Sequence, residues 1–265
     1  MNLILAQNTA IRAARAVGVL MKRHQLGHKR AHSVSQHDIK LDLDVRSQKL
    51  IEKTLRNAIP EAGFLGEEGI VGDPDARYRW VVDPIDGTVN FAYGIPHACV
   101  SIALQQLAAS PCPTTYEDGY ETVLGVVYDP FCDELWTALQ SRPARLNGKP
   151  IRVSKRTKLD ESIVSLGFAK SAENLQATLP YFVELVHKVR KIRMMGAAAL
   201  ALTYVASGRF DAYIERGIRL WDIAAGGLIL ECAGGTFSRQ AIPGEYAYRM
   251  LASNGQLGDQ LSSPW

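Results

Sequence analysis

Residues Trp80–Asn90 read W-V-V-D-P-I-D-G-T-V-N. Trp80, Val81 and Val82 look like the end of a buried strand. The carboxylates Asp83 and Asp86 follow, with Pro84 between them, and then Gly87 and Thr88. Carboxylates fixed at a strand end can hold hard cations, and a Gly-Thr turn that shows its backbone N–H groups can hold a phosphate. The two together suggest metal-assisted phosphate chemistry. Upstream, F-L-G-E-E-G brings Glu67 and Glu68 to the end of a second apolar stretch, Phe64–Leu65. Downstream, L-W-D-I-A-A-G-G places Asp222 at the start of a buried helix. Carboxylates are rarely buried unless they are paired or hold a metal, so Glu67, Asp83, Asp86 and Asp222 predict a metal centre. By themselves, Asp83 and Asp86 would suit an Asp-Pro turn with a helix cap. Asp133 and Glu134 have no such setting and are expected as exposed hairpin charges.

The elements that must position these residues follow from the apolar pattern. A helix is expected over Leu3–His24. A second runs from Asp42 to just before Pro60, with Val45, Ile51, Leu55 and Ile59 on its apolar stripe. Strands are expected at Phe64–Leu65, Tyr78–Val82, His97–Gln105, Val123–Tyr128 and Glu134–Ala138. The segment Ala108–Glu121, with two prolines and an Asp-Gly step, reads as a long hairpin loop, and Asn147-Gly148 as a tight turn. In the second half a strand at Ile163–Leu166 precedes a helix near Asn174–Val189. A strand at Lys191–Arg193 leads to a small-residue helix over Ala197–Ser207, and a strand at Asp211–Ile214 leads to the helix of Asp222. No internal repeat or low-complexity tract is evident.

Composition limits the function classes. The chain has 265 residues, 47% of them hydrophobic and 22% charged, which suits a soluble globular protein. No apolar run is long enough for a membrane span. A net charge of +3 is too small to argue for nucleic acid. The four cysteines (Cys99, Cys112, Cys132, Cys232) lack C-x-x-C spacing, and Cys99 and Cys232 lie in apolar runs. Buried thiols, a reducing compartment and a cytoplasmic location are expected. The first 37 residues hold six Lys or Arg and no acidic residue. That composition leaves an organelle transit peptide open, although the small apolar Ala10, Ala13, Ala14 and Val17 favour a helix of the fold. His24, His28, His32 and His37 cluster there, but Gly27, Lys29 and Arg30 argue for a solvated loop over a cation site.

W-V-V-D-P-I-D-G-T-V-N-F and W-D-I-A-A-G-G-L-I-L-E-C-A-G-G, with G-E-E and D-A-Y-I-E-R-G in the expected order, resemble the signatures of the inositol monophosphatase family. This family belongs to the magnesium-dependent, lithium-sensitive phosphatases. The likeness runs from about Asp38 to Asn254. It implies an α-β-α-β-α layered sandwich of the inositol monophosphatase and fructose-1,6-bisphosphatase type. Its halves would be an α+β part, 1–150, and an α/β part, 151–265, forming one catalytic unit. Two departures stand out. D-I-K-L-D-L-D, Asp38–Asp44, lacks the threonine common inside this element, and Ser141-Arg142-Pro143 stands where glycines are usual.

The resemblance also implies the site. One Mg²⁺ is held by Glu67, Asp83 and the carbonyl of Ile85, and a second by Asp83, Asp86 and Asp222. A third, weaker ion shares Glu67 through water; Mn²⁺ suits the same oxygen donors. Gly87 and Thr88 hold the phosphate with their N–H groups, aided by a helix dipole. Thr88 and Asp44 orient the attacking water, although a helix-start cap is the plainer use of Asp44. Asp86 orients the water that protonates the leaving group. Glu215 binds a substrate hydroxyl, and Gly196, Ala197 and Ala198 form a backbone ledge that Arg193 supports. Glu68 either orients water or is a surface charge. Lys170 and Arg219 could meet a second anion but read more simply as surface cations. The implied activity is hydrolysis of a small polyol phosphate monoester, above all inositol monophosphate, by a homodimer without nucleic-acid or membrane partners. Fructose 1,6-bisphosphate, 3′-phosphoadenosine nucleotides and histidinol phosphate remain alternatives, as does a non-catalytic binding relative.

Overall fold

Helix α1 (Leu3–His24) starts where the Asn2 side chain accepts the Leu5 N–H at 3.1 Å, and Lys22, Arg23 and His24 occupy its last turn, where cations suit the dipole. Ala6, Ala10, Ala13, Val17 and Met21 recur at helical spacing and are fully buried. The protein is described by a computed structural model over residues 1–27, 31–34, 39–110, 112–168, 171–258 and 260–261, with the backbone alone at 31–34, 39 and 40. His28, His37 and Lys170, and the side chain of His32, lie outside the described residues. His24 ends α1, its Nδ1 2.8 Å from the Leu20 carbonyl oxygen. The expected solvated loop after it contains a short antiparallel pair, β1 (Ala31–Val34) with β2 (Ile39–Leu41).

Helix α2 (Asp42–Ala58) follows, buried on Leu43, Ile51 and Leu55. Next come β3 (Gly63–Gly66), β4 (Gly69–Val71), β5 (Tyr78–Asp86), the short helix α3 (Thr88–Ala92), β6 (Cys99–Leu107), β7 (Tyr120–Asp129), β8 (Glu134–Leu139), β9 (Arg145–Leu146) and β10 (Lys149–Pro150). They form an eight-stranded sheet in the order β10-β9-β8-β7-β6-β5-β3-β4, antiparallel except where β3 meets β5. Strand β5 lies inside this sheet and is buried from Arg79 to Asp86, which explains its continuous apolar run. Its register against β6 breaks between Asp83 and Asp86, and Pro84, which has no N–H to offer a ladder, sits in the break. Ser141, where the family usually has glycine, takes a left-handed φ of 64°. Asn147 and Gly148 take φ of 48° and 78°, as a tight hairpin turn requires.

The second half supplies β11 (Ile163–Leu166), α4 (Ala172–Val186), β12 (Lys191–Arg193), α5 (Ala198–Ala206), β13 (Ala212–Arg219), α6 (Leu220–Cys232), β14 (Thr236–Ala241) and β15 (Ala247–Ser253). Their sheet runs β12-β11-β13-β15-β14. Helices α1 and α2 cover one face of the large sheet. Helices α5 and α6, apolar nearly all round, fill the space between the two sheets, and α4 covers the far face of the small sheet. The result is the expected α-β-α-β-α order. Among the described residues, no helix is long and apolar enough to cross a membrane. Cys99 is buried, Cys232 is half-buried and Cys112 and Cys132 are exposed; all four are free thiols.

Candidate active site

Strands β3 and β5 run parallel with Gly66 beside Val82, where β3 ends and β5 runs on to Asp86. The next residue on each is a carboxylate, Glu67 and Asp83, and the Glu67 N–H donates to Val82 O at 3.1 Å. Asp83 is 3% exposed, and its Oδ1 accepts the Ile85 N–H at 2.9 Å. Asp86, at the end of β5, reaches across to the small-sheet half. Its Oδ1 accepts the Ala198 N–H at 3.0 Å and its Oδ2 the Ala199 N–H at 2.8 Å, with the Cys99 thiol 3.5 Å from Oδ2.

The helices deliver two further aspartates in the same way. Asp44 is the third residue of α2 and Asp222 the third of α6. Each reaches back to the N–H of the residue before its helix: Asp44 Oδ2 to Leu41 at 2.6 Å, Asp222 Oδ2 to Arg219 at 2.9 Å. This is half of a capping box, and it fixes the carboxylate without using both oxygens. The capping use anticipated for Asp44 is therefore present.

A cavity of about 420 Å³ collects these groups. Glu67, Asp83, Ile85, Asp86 and Asp222 line it. Gly87, Thr88, Gly196, Ala197, Ala198 and Glu215 also line it. Asp44 stands behind the wall, buried to 1% exposure but near enough to Asp83 to repel its charge. Burial pushes the Asp83 carboxyl well above its usual range, and repulsion from Glu67, Asp86, Asp222 and Asp44 adds to this. Burial likewise pushes Asp86 up to about 6, against the opposing pull of the Ala198 and Ala199 N–H groups. Such crowding of like charge is relieved by a multivalent cation. The donors are all hard oxygens, so the residues present fit Mg²⁺ or Mn²⁺.

Gly87 has φ 87°, and a β-carbon there would come within 2.9 Å of His97 O and 3.1 Å of the Ala197 β-carbon, so only glycine fits. Among the described residues no hydrogen bond takes the Gly87 or Thr88 N–H. Helix α3 has only five residues, so these N–H groups, rather than the expected helix dipole, are what the turn offers an anion. The Thr88 hydroxyl donates to Ile85 O at 2.8 Å, which leaves its own oxygen able to accept.

Two supporting residues escape a reading of the sequence. Gln48 accepts the Glu68 N–H at 2.9 Å, and its amide lies 3.4 Å from Gly69 O, so it pins the turn that carries Glu67. Its signal was a polar residue on the buried stripe of α2, four residues from Asp44 and three from Ile51. The buried Tyr213 donates its hydroxyl to Glu215, whose carboxylate occupies the space beside the Gly167 backbone where a β-carbon would stand. Glu68 is half-buried but outside the cavity wall. Arg193 is exposed and its guanidinium donates to Ile192 O rather than supporting the ledge, while the Arg219 guanidinium donates to Glu245 O and not to a site for a second anion. Glu134 is paired with Arg209 and only 18% exposed, unlike the free hairpin charge expected. Asp129, Cys132 and Glu134 form a second acidic group, but Arg209 already holds Glu134 by both guanidinium nitrogens, and a cation would have to compete with it.

Comparison with known proteins agrees with this layout. "Nus factor SuhB" of Xylella fastidiosa is 40% identical over 233 residues, covering 87% of this chain and 80% of the relative. "Inositol-1-monophosphatase" of Synechocystis is 38% identical over 229 residues, covering 85% and 76%. Among solved structures, extragenic suppressor protein suhB from Bartonella henselae superposes with a TM-score of 0.85 at 31% identity, covering 97% of this chain and 96% of that one. Inositol monophosphatase from Anabaena superposes at 0.81 with 33% identity, covering 100% and 96%. A model of the inositol monophosphatase family matches residues 5–254, a span that takes in every carboxylate of the cavity, and the chain belongs to that family.

Proposed function

We infer that the protein is a Mg²⁺-dependent phosphomonoesterase acting on a small phosphorylated polyol, inositol monophosphate above all. The observation that carries this reading is the meeting of Glu67, Asp83, Asp86 and Asp222 in one cavity beside the unused N–H groups of Gly87 and Thr88. The two halves, 1–150 and 151–265, act as one catalytic unit, since the first contributes Glu67, Asp83 and Asp86 and the second Asp222 and Glu215. Glu67, Asp83 and the Ile85 carbonyl would hold one ion, and Asp83, Asp86 and Asp222 a second. A third, weaker ion would reach Glu67 through water. When bound, the ions supply Lewis-acid activation of water and positive charge against the phosphate and the departing oxygen.

The protein's own groups do the rest. The Gly87 and Thr88 N–H groups hold the phosphate. The Thr88 oxygen and Asp44 orient the attacking water, and the Asp44 carboxylate takes its proton. Attack in line on phosphorus then needs no covalent enzyme intermediate. Asp86 faces the leaving group, Glu215 accepts a hydrogen bond from a substrate hydroxyl, and residues 196–198 flank the ring. A homodimer belongs to this reading and is checked by light scattering.

Relatives named Nus factor favour a second reading, in which the chain binds a partner and turnover is secondary. One measurement separates the two: phosphate release by purified protein from polyol phosphates, fructose 1,6-bisphosphate, 3′-phosphoadenosine nucleotides and histidinol phosphate. Release from a polyol monophosphate should require Mg²⁺, stop in excess chelator, return with Mg²⁺ and be inhibited by Li⁺. Full activity in chelator would end the metal mechanism. Silence on the whole panel would favour the binding reading.

A further inference from the structure

Asn90 lines the cavity, on the turn after Thr88, but faces away from the carboxylates in its bonding. Its amide nitrogen donates to Met195 O at 2.7 Å and to His97 O at 3.0 Å. Only the nitrogen of that side chain carries hydrogens and both partners are carbonyls, so chemistry dictates which way the amide points. The bond to Met195 spans 105 positions of sequence and joins α3 to the ledge before α5. At the other end of the ledge, Asp86 takes the N–H groups of Ala198 and Ala199. Residues 196 and 197 are thus held from both sides by the same strand-turn-helix that carries the catalytic carboxylates.

The held conformation is an unusual one. Gly196 has φ 73°, and a β-carbon there would lie 3.2 Å from the Asn90 amide nitrogen. Met195 C=O and Gly196 N–H belong to one trans peptide unit and point in opposite directions. Turning the carbonyl onto Asn90 therefore turns the Gly196 N–H away from it. That N–H has no acceptor among the described residues, on an exposed residue of the cavity wall.

We propose that Asn90 is a positioning residue: by taking the Met195 carbonyl it aims the Gly196 N–H at a hydroxyl of the leaving group. This rests on the phosphatase reading and adds the residue that sets the ledge. The side chain touches no reacting atom, so its effect falls on esters whose alcohol reaches the ledge. Without the amide, the 195–196 peptide is free to turn and the donor is lost.

The test compares an inositol monophosphate with an aryl phosphate whose leaving group bears no hydroxyl, both in saturating Mg²⁺. Asn90→Ala should raise KM for the inositol ester about tenfold and leave kcat/KM for the aryl ester within about twofold. Asn90→Asp keeps the shape but sets a carboxylate against two carbonyls, and its loss on the inositol ester should be larger, about 10- to 100-fold. The Mg²⁺ concentration giving half activity should stay the same in both variants. Equal losses on the two esters, or a shifted Mg²⁺ requirement, would mean that Asn90 acts through the fold or the metals and would overturn the proposal. Wild-type KM in both variants would overturn it as well. If the unmodified protein hydrolyses neither ester, the phosphatase reading itself has failed, and the role of Asn90 falls with it.

Discussion

At the carboxylate end of the cavity Asp83 is 3% exposed and Asp86 5%, and each oxygen of Asp86 already accepts a backbone N–H. At the mouth, Met194 is 61% exposed, and the start of the ledge behind it is held at Met195 O by the Asn90 amide. The carboxylate end rests on strand ends and the first turns of long helices, whose positions follow from large buried cores. The mouth rests on the loop after β12, on Glu215 of β13 and on side chains that meet distant backbone. This difference separates reaction from substrate. The chemistry is built into the core elements, and selectivity is left to parts that a few substitutions can change.

The sharpest way to break this contrast is at the carboxylates. Asp222→Asn keeps an oxygen to accept the Arg219 N–H, so the fold should survive while turnover falls by a factor of 10³ or more, on the order of metal-catalysis effects. Asp86→Asn should lose as much turnover and melt lower than Asp222→Asn, because its new NH₂ must face a backbone N–H in a buried place, at about 1–3 kcal/mol. Steady-state kinetics with thermal melts in chelator check both. Near wild-type turnover in either would remove that residue from the metal site. Equal melting would show that the Ala198 and Ala199 contacts matter little.

A smaller effect is expected at the mouth. Glu215→Gln weakens a charged hydrogen bond by ~1.5–3 kcal/mol, so kcat/KM for a polyol phosphate should fall about 10- to 100-fold. A phosphate ester without a matching hydroxyl should be nearly unaffected. Equal losses would move Glu215 into the metal end and blur the contrast.

The smallest change should come from Gln48→Ala. It loosens the turn that carries Glu67 without removing a ligand, so the Mg²⁺ requirement should rise only a few-fold while saturated kcat holds, as for other outer supports of ligands. A fall in saturated kcat with an unchanged Mg²⁺ requirement would show that Gln48 does not act through Glu67.

The same contrast governs how far sequence reasoning could reach. Helix α1 was legible to its end residues because small apolar side chains recur at helical spacing, and the carboxylate positions because each abuts an apolar run. The pair β1–β2 and strand β4 carry no such periodicity in three or four residues. Strand β15 forms through pairing with β13, and β14 through pairing with β15, contacts made in space rather than by local pattern. Gln48, Tyr213 and Asn90 were silent for a related reason. Gln48 bonds the Glu68 backbone 20 positions away and Asn90 the Met195 backbone 105 positions away, and Tyr213 differs from any other buried tyrosine only through the carboxylate it meets. Arg193 shows the reverse error. Placed beside the ledge by the family resemblance, it turns its guanidinium to the Ile192 carbonyl.

The break in pairing around Pro84 has a consequence for how this centre can change over time. Where β5 leaves its ladder, Ile85 has no partner residue on β6; it lines the cavity, and its carbonyl accepts the Thr88 hydroxyl. As a metal donor in the proposed site it has a property no side chain shares: every amino acid carries it. Mutation at position 85 can disturb packing but cannot delete that oxygen, and only the aim of the peptide is open to drift. The stiff ring of Pro84 next door narrows even that freedom. Part of the centre is thereby written in the course of the main chain, out of reach of single-residue loss.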